Sequence, residues 1–421
     1  MPTEPDNTHA RRGWRRHALP AGLGALVLAA LAALGLYLAR GDGAPAGPAA
    51  APPPPSGPQF FGRQANEGGL PAPDTRAEQR RQLVEQVKLT DHTYCSYLEG
   101  TRYPHASRPA AQHADQIHPN QPIAEMNPMR LEGGKSSADV LLQSSQSRVY
   151  LAAGEGVAFT LRTVDAQGQV VPLVITRAVA QGMTYGDSRP TPQVSLAFAD
   201  DGGGADPVAG DGTFTAVLSP AQGGLAGFHG TIRTEVRYNA GGRSGFVLFD
   251  VVYTPTLPAV WTGQVREATE DGSLQFYLRA EVRQPGRYIV SGRVDDARGR
   301  PFALATFNDL LGPGPQDVKL TVFGKLMHDG APQLPLVLRD VEGYLLRENL
   351  DPDRLLMPRL EGRVFASKTG SLKGISDEEW QSEERSRYLT EYAKDRNAAR
   401  ARLAAFDPEA PLPPSACAAP R

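Results

Sequence analysis

The sequence lacks a complete catalytic motif. It contains neither a Gly-x-Ser-x-Gly turn nor a Ser-x-x-Lys pair, so the Lys368-Thr369-Gly370 triplet has no serine nucleophile to accompany it. Gly134-Lys135-Ser136 resembles the end of a phosphate-binding loop, but Met129 occupies the position of that loop's first glycine. We therefore predict that the protein is not an enzyme and binds no nucleotide.

Positive charge is not in excess either. The 421 residues include 44 basic and 46 acidic side chains, which gives a formal net charge of −2. A nucleic-acid-binding protein needs basic surface to neutralise phosphates, so this balance predicts no nucleic-acid partner. Glycine and proline are frequent, at 44 and 37 residues, and they favour many short strands joined by turns over a helical bundle.

Charged side chains are absent from residues 18–39, a run that follows four arginines between residues 11 and 16. As a helix this run would span about 33 Å, enough to cross a hydrocarbon core of roughly 30 Å. The arginines predict a cytoplasmic N-terminus, with the bulk of the chain outside. We expect an uncleaved signal anchor. The alternative is a cleaved signal peptide, whose best cleavage site, at residues 44–46, contains a proline.

Cysteine is scarce, since Cys95 and Cys417 are the only two. Both lie outside the membrane in this topology, where an oxidising compartment favours a disulfide. Closing a loop of about 320 residues would stabilise the fold by about 5–6 kcal/mol in the loop-entropy model. The sequence does not give the distance between the two residues, so a pair of free thiols remains the alternative.

The chain divides into segments of distinct composition. Four consecutive prolines at 52–55 make the segment after the anchor a semi-rigid spacer. A second linker, residues 254–258, separates two sets of apolar runs. The predicted segments are a cytoplasmic tail 1–17, a transmembrane signal anchor 18–39, a Pro/Ala/Gly-rich linker 40–72, a helix with a His/Tyr/Pro-rich irregular segment 73–136, a first β-sandwich 137–254, a second β-sandwich 259–366, a C-terminal helix 376–406 and a tail 407–421.

Strand-length runs of alternating apolar residues occupy most of the two predicted sandwiches. Their spacing, with turn residues between them and no helical insert, is typical of β-sandwiches. The first set comprises 157–161, 194–198, 214–218, 232–238 and 246–253, and the second comprises 274–282, 287–294, 302–307, 318–323 and 336–346. The fold class is therefore predicted to be mainly β.

Helices are predicted at both ends of this β region. Capping-box spacing at Thr75 and Glu78 predicts a short helix over 73–88. Ser376 and Glu379 have the same spacing, and the acidic residues after Ser376 suit the start of an amphipathic helix over 377–405. We expect the sparse apolar face of this helix to pack on the second sandwich, with partner binding as the alternative.

An aspartate-rich loop lies between two of the predicted strands. Asp200, Asp201, Asp206 and Asp211 fall within twelve residues that also contain four glycines, and a fifth glycine follows at 212. Carboxylate oxygens are the ligands that Ca²⁺ prefers, so these four residues form a candidate calcium site, with Ca²⁺ as its cofactor. The spacing is not that of an EF-hand. A metal-free turn with hydrogen bonds from backbone N–H groups to the aspartates is the alternative.

Histidines concentrate in one segment, residues 92–118. Its candidate ligands for a transition metal are His92, Cys95, His105, His113, Asp115 and His118. No Cys-x-x-Cys or His-Glu-x-x-His accompanies them, and a disulfide would remove Cys95 as a thiolate ligand. We expect structural, hydrogen-bonding histidines here, with a metal site as the alternative.

The aspartate loop and its flanking strands resemble a known family. Residues 194–218 are similar to the Ig-like choice-of-anchor X domain of bacterial envelope proteins, through Asp200-Asp201-Gly202 and residues 209–214. The following domain resembles Ig-like modules of secreted bacterial proteins through residues 286–293 and 318–325. This resemblance covers about Ser137 to Leu346. It implies two Ig-like sandwiches in an anchored envelope protein and defines no activity.

Together these features predict a single-pass protein of the bacterial inner membrane, with the bulk of its chain in the periplasm. Its expected role is that of a non-catalytic binding or scaffolding module, with an envelope protein or polysaccharide as partner. The alternative is a metal-dependent extracytoplasmic enzyme, or an enzyme accessory subunit, that uses the histidine-rich segment 92–118. Fold alone does not decide between them.

Overall fold

A computed structural model describes residues 75–119, 121–131, 133–184, 191–409 and 411–418. These ranges fall within one compact unit of the chain. The predicted cytoplasmic tail, signal anchor and linker lie outside the described residues. Among the helices that the structure describes, none is both long and apolar enough to cross a bilayer.

The chain is mainly β-strand, and most strands pair antiparallel. Within the described ranges the three α-helices are α1 Thr75–Gly100, α2 Gly324–Gly330 and α3 Glu383–Phe406. The strands there are β1 Ser107–Pro109, β2 Ile123–Arg130, β3 Ser136–Gln146, β4 Tyr150–Ala152, β5 Val157–Val164, β6 Leu173–Gly182, β7 Gln193–Ser195, β8 Phe214–Leu218, β9 Gly230–Ala240, β10 Arg243–Thr254, β11 Ala259–Glu270, β12 Ser273–Val282, β13 Gly286–Asp295, β14 Pro301–Leu311, β15 Gly314–Val322, β16 Val337–Leu346, β17 Arg354–Leu356 and β18 Leu360–Ala366.

The first apolar core lies between two sheets built from β2 to β10. One sheet has the order β4-β10-β9-β6-β7, with β4 parallel to β10, and the other has the order β2-β3-β5-β8. Alternate residues of β5 and β9 point inward, as the period of two requires. Phe159 of β5 stacks on Phe249 of β10, with ring centroids 4.7 Å apart, so the two sheets share one interior.

The second core lies between two sheets built mainly from β11 to β18. Strands β11-β12-β15 form one sheet, and β1-β14-β13-β16-β17 form the other, with β18 also paired to β16. Phe276, Tyr288 and Leu320 are fully buried between them, and α2 closes one side through Leu326 and Met327. Burial of each large apolar side chain contributes about 1.5–3 kcal/mol. This gain places the apolar residues of the alternating runs in the interior between the two sheets.

The two long helices pack against each other and not along the second core. Val87 of α1 lies in a small apolar cluster with Ala399 and Leu403 of α3. The expectation that the C-terminal helix packs on the second sandwich is therefore not what the structure has. Each helix has only a narrow apolar stripe. The two stripes face each other, and most polar side chains of both helices stay in contact with water.

Helix boundaries also differ from the sequence expectation. α1 continues to Gly100, through residues expected to be irregular. α3 begins at Glu383, because the Ser382 side chain accepts a hydrogen bond from the Arg385 N–H at 3.0 Å. Ser376 instead accepts the Glu378 N–H in a turn. Of two serines with capping potential, the second starts the helix.

Candidate functional site

The aspartate loop is held together by hydrogen bonds between its carboxylates and its own backbone. Asp200 accepts the N–H groups of Gly210, Asp211 and Gly212 at 2.7, 3.2 and 2.9 Å. Asp206, which is 4 % exposed, accepts the N–H of Gly202 at 2.7 Å. These bonds compensate the negative charges in the way that a cation would, so the loop is ordered by its own backbone donors.

The other two aspartates make similar local bonds. Asp201 accepts the Gly203 N–H at 2.9 Å, and Asp211 accepts the Thr213 N–H at 2.8 Å. The bond from Thr213 lowers the pKa of Asp211 below its ordinary value. Calcium binding at this loop stays a prediction, and the structure gives each carboxylate a backbone partner of its own.

The predicted metal-binding segment is spread over several elements. Cys95 is bonded to Cys417 and is not a thiolate, and His92 lies beside Ser96 one turn further along α1. His113 follows a 3-10 turn, and the Nδ1 atom of His118 lies 3.2 Å from Nη1 of Arg293. Within the ranges that the structure describes, no group of three or more His, Cys, Asp or Glu side chains is placed to hold a metal ion.

The disulfide joins α1 to the C-terminal segment. The Cα atoms of Cys95 and Cys417 are 5.0 Å apart. One helical turn before Cys95, the buried carboxylate of Asp91 accepts hydrogen bonds from the Ser415 hydroxyl at 2.8 Å and the Ala416 N–H at 2.6 Å. Arg400 of α3 pairs with the same carboxylate at 2.6 Å. Burial opposes ionisation, but these donors together lower the pKa of Asp91 below its ordinary value.

An open groove lined by charged and apolar side chains lies where the first core meets the second. It is a cavity of about 350 Å³, and we call it the charged groove. It extends into a cavity of about 90 Å³ and into a more open depression. Its charged walls are formed by Arg108, Asp115, Arg148, Arg293, Asp340, Glu342 and Arg359. A junction between two packed bodies is a common place for a binding site, so this groove is the candidate functional site.

Arg293 lies at the centre of an ion-pair network in the groove. Its Nε and Nη2 donate to the two carboxylate oxygens of Asp295 at 2.9 and 3.2 Å, and Nη2 lies 3.2 Å from Oδ2 of Asp340. Burial raises the pKa of Asp295, although Arg293 acts in the opposite direction. The two-pronged contact fixes the plane of the guanidinium, so its remaining donors point in set directions.

Asp340 has an unusual backbone. Its φ is +48°, although it lies inside β16. The pairing of β16 with β18 shifts between Arg339 and Val341, which marks a β-bulge of the kind that redirects a side chain. Oδ1 of Asp340 accepts the Gly362 N–H at 2.7 Å. A left-handed aspartate costs of the order of 1–3 kcal/mol, and such strain concentrates at functional sites.

Ion pairs connect the two walls of the groove. Arg148, just before β4 of the first core, lies 2.8 Å from Glu361 of β18 in the second core. Arg359 donates to the carbonyl of Tyr150 at 3.4 Å and lies 3.7 Å from Glu342. Burial of the Glu342 carboxylate raises its pKa, and the positive charge of Arg359 acts in the opposite direction. The walls therefore present guanidinium donors and carboxylate acceptors side by side.

An arginine held between two tyrosines closes one end of the groove. The guanidinium carbon of Arg354 lies 4.9 Å from the ring centroid of Tyr150 and 4.7 Å from that of Tyr344. Asp353 binds the same guanidinium at 2.7 Å. Cation–π contacts of this kind contribute about 0.5–1 kcal/mol at exposed sites and more when desolvated. They connect β4 of the first core to β16 and β17 of the second.

Sequence reasoning did not find this groove. Only Asp115 and His118, from the predicted metal-binding segment, border it. The arginines are more than 250 residues apart at the extremes, from Arg108 to Arg359, and each is an ordinary strand or loop residue by itself. The closest signal in the sequence is the charged run within the strand region 336–346, where Arg339, Asp340 and Glu342 interrupt the apolar alternation.

Comparisons with known proteins give partial structural likeness only. No family model and no curated protein matches the sequence. A DUF4785 family protein from Legionella pneumophila is similar at 13% identity and a TM-score of 0.34, over 55% of this chain and 57% of that one. The Yersinia pseudotuberculosis adhesin InvE is similar at 12% identity and a TM-score of 0.17, over 48% of this chain and 55% of the adhesin.

The BSP domain of a biofilm-associated protein is similar at 10% identity and a TM-score of 0.14, over 52% of this chain and 29% of that one. The chain thus covers less than two thirds of each of these structures. Values this low carry no inference about function. None of the three is described as a choice-of-anchor X protein, so that resemblance stays a prediction.

Proposed function

We propose that this protein is anchored in the bacterial inner membrane by residues 18–39 and holds two Ig-like β-sandwiches in the periplasm, where they act as a non-catalytic binding module. The buried residues of the first core run from Met129 to Tyr253 and those of the second from Ala259 to Ile375, so both extend beyond the predicted bounds 137–254 and 259–366 at one end. An envelope protein or polysaccharide is the partner. The charged groove is the observation that supports binding, because it places many fixed polar groups on a concave surface.

The groove is better suited to recognition than to bond cleavage. Arg293 and Arg148 are each held by two carboxylates, so their charges are balanced within the protein. Fixed donors and acceptors cost little entropy when a ligand binds, which favours affinity. A hydrolytic site instead needs a nucleophile or base that is poised to react with its substrate.

Capture from a membrane extract tests this proposal. The full chain, solubilised in detergent and tagged, serves as bait for a cross-linked envelope extract, and the bound protein and carbohydrate are identified by mass spectrometry. The groove variant is Arg108→Gln, because Nη2 of Arg108 donates to the carboxamide oxygen of Gln116 at 3.1 Å and a glutamine removes the charge with little loss of structure. We expect it to lose the captured partner.

The matched control is Arg287→Gln on β13. Arg287 also donates to a side-chain amide oxygen, that of Asn308, at 2.8 Å, and it lies outside the groove. This control should capture the same partner as the unaltered chain. Equal capture by both variants and the parent would show that binding does not use the groove and would contradict the proposal.

A further inference from the structure

Asp340 differs from the other non-glycine residues with positive φ. Within the described ranges these are Asp271, Ala331, Asp340 and Asn349. Asp271 lies in the turn between β11 and β12, Ala331 follows the last turn of α2, and Asn349 lies in the connection between β16 and β17. Turns and helix ends need such backbone, whereas at Asp340 it occurs at the β-bulge inside β16. The bulge does not reverse the chain, and it leaves the Asp340 side chain on the groove wall.

The side chain of Asp340 is fixed from two sides at the groove wall. Gly362 binds one carboxylate oxygen at 2.7 Å, and Arg293 lies 3.2 Å from the other. The side chain is 15 % exposed, and it lines both the main cavity and the adjoining depression. A carboxylate offers about four acceptor positions, so two protein partners leave capacity for a ligand donor.

The balance of charges in the groove limits the chemistry of that ligand. Five arginines and four carboxylates line the groove and its two extensions: Arg108, Arg148, Arg293, Arg354, Arg359, Asp115, Glu155, Asp340 and Glu342. Opposite charges this close cancel at a distance, so there is no large field of one sign to attract a polyanion or a polycation. A suitable ligand is neutral and hydrogen-bonds with both donors and acceptors.

Hydroxyl groups meet this requirement because each one both donates and accepts. Sugar rings also have apolar C–H faces, and the groove supplies the ring of Tyr150 and the half-exposed Ile123 beside its charged groups. We propose that the charged groove binds a neutral stretch of an envelope polysaccharide, with Asp340 as an acceptor for its hydroxyls and neighbouring guanidinium groups as donors. This inference rests on the proposed function and adds the chemical class of the ligand.

The open shape of the groove supports a polymer over a small sugar. The main cavity continues into the 90 Å³ cavity through Tyr150, Glu342 and Arg359, and into the open depression through Arg293 and Asp340. Arg354 and its two tyrosines close the groove at the smaller cavity, so a chain of sugar units can place its end in the main cavity and extend outward through the open depression. An acidic polysaccharide would meet Asp340 and Glu342 as like charges, which costs free energy.

Asp340→Asn is the variant that tests this proposal. Asparagine tolerates positive φ and keeps one oxygen for the Gly362 N–H, so the bulge is retained. The control is Asp271→Asn, which makes the same change at another positive-φ aspartate outside the groove. A single cooperative melting transition in both variants and in the parent chain establishes that all three are folded.

The probes are end-labelled oligosaccharides cut from the neutral polysaccharide fraction of the source envelope, with polygalacturonate as the acidic comparison. Binding to the detergent-solubilised full chain is measured by fluorescence anisotropy. We expect the neutral probe to bind, Asp340→Asn to weaken it about tenfold, as loss of one charge-assisted acceptor does, and Asp271→Asn to leave it unchanged. Binding should persist in about 0.5 M salt, where exposed charges are screened.

Absence of binding to the neutral probe, or binding to polygalacturonate alone with loss at high salt, overturns the proposal. A groove-dependent protein partner captured without carbohydrate also overturns it, but leaves the proposed binding function in place. If Arg108→Gln captures the same partner as the parent chain, by contrast, the proposed function itself is contradicted. The two failures are therefore distinguishable.

Discussion

Replacing Asp91 should loosen the C-terminal segment where it packs on α1. Asp91 is 3 % exposed, and its carboxylate binds three groups from outside its own helix. These are the Ser415 hydroxyl at 2.8 Å, the Ala416 N–H at 2.6 Å and the Arg400 guanidinium at 2.6 Å. Asp91→Ala removes all three contacts and leaves the Cys95–Cys417 disulfide in place. The change therefore isolates the polar contribution from the covalent one.

The magnitude follows from the partners that lose their acceptor. A hydrogen bond to a charged group contributes about 1.5–3 kcal/mol, and breaking a buried ion pair costs about 3–5 kcal/mol. The Arg400 side chain is 30 % exposed, so water replaces part of its lost contact and the lower values apply. We expect Asp91→Ala to make local opening of the C-terminal segment easier by about 3 kcal/mol.

Hydrogen exchange measures this opening directly. Local opening free energies set amide protection, and about 1.4 kcal/mol corresponds to a factor of ten. The Ala416 amide should thus exchange on the order of a hundredfold faster in Asp91→Ala. Asp91→Asn retains an oxygen acceptor and should give a smaller increase. Glu85→Gln, on the same helix but exposed and paired only locally with Lys88 at 2.9 Å, is the control and should change nothing.

The pH dependence has a defined sign. The donors around Asp91 lower its pKa in the folded state, so the unfolded state binds protons more readily. Its stabilisation is present above the unfolded pKa and is lost as the pH falls through the folded pKa. Protection of Ala416 should therefore fall in acid for the parent chain and not for Asp91→Ala. Equal exchange of Ala416 in the two proteins at neutral pH would refute the assignment.

Four further predictions concern topology, the disulfide and metals. A reporter fused after the last residue should be active only outside the cytoplasm, and cytoplasmic activity or a mature N-terminus near residue 46 would contradict the anchor. A protease site inserted in the exposed Gly241-Gly242 turn should give fragments that stay joined on a non-reducing gel and separate with reductant; separation without reductant would exclude the disulfide. If the aspartate loop binds Ca²⁺, the full chain should melt at a higher temperature in millimolar Ca²⁺ than in chelator. A free Ca²⁺ concentration 100-fold above Kd raises the free energy of unfolding by about 2.7 kcal/mol. Replacing Asp206 and Asp211 by Asn should abolish that difference, and identical curves would refute the site. Purified protein should contain no stoichiometric zinc; zinc that is lost on replacing His113 and His118 by Ala would instead support the alternative metal enzyme.

Strands could be predicted from the sequence where one face alone is buried. Residues 157–161 and 232–238 alternate with a period of two, and both lie in strands. Strand β6, Leu173–Gly182, was not expected, because its burial pattern is interrupted at a bulge near Thr176. Where register shifts, the alternation that identifies a strand in the sequence shifts as well.

Helix α1 shows the limit of local signals. Its second half, from Asp91 to Gly100, is rich in residues with only moderate helix propensity, which predicts little by itself. The structure stabilises this half through distant partners: Asp91 binds Arg400 and Ser415, and Tyr97 packs on Tyr392 with centroids 5.3 Å apart. Tertiary contacts across some 300 residues are not visible in a local window.

The groove depends on contacts between the two cores that are mostly polar. The ion pair between Arg148 and the half-exposed Glu361 contributes about 0–1 kcal/mol to stability by itself. The linker between the cores, residues 255–258, is short. Polar interfaces of this kind permit small relative motion of the joined bodies. A ligand that contacts Tyr150 on one wall and Asp340 on the other would therefore be bound by both cores and would also hold them together. Binding at the groove should thus stabilise the arrangement that creates it, since a ligand favours the state to which it binds.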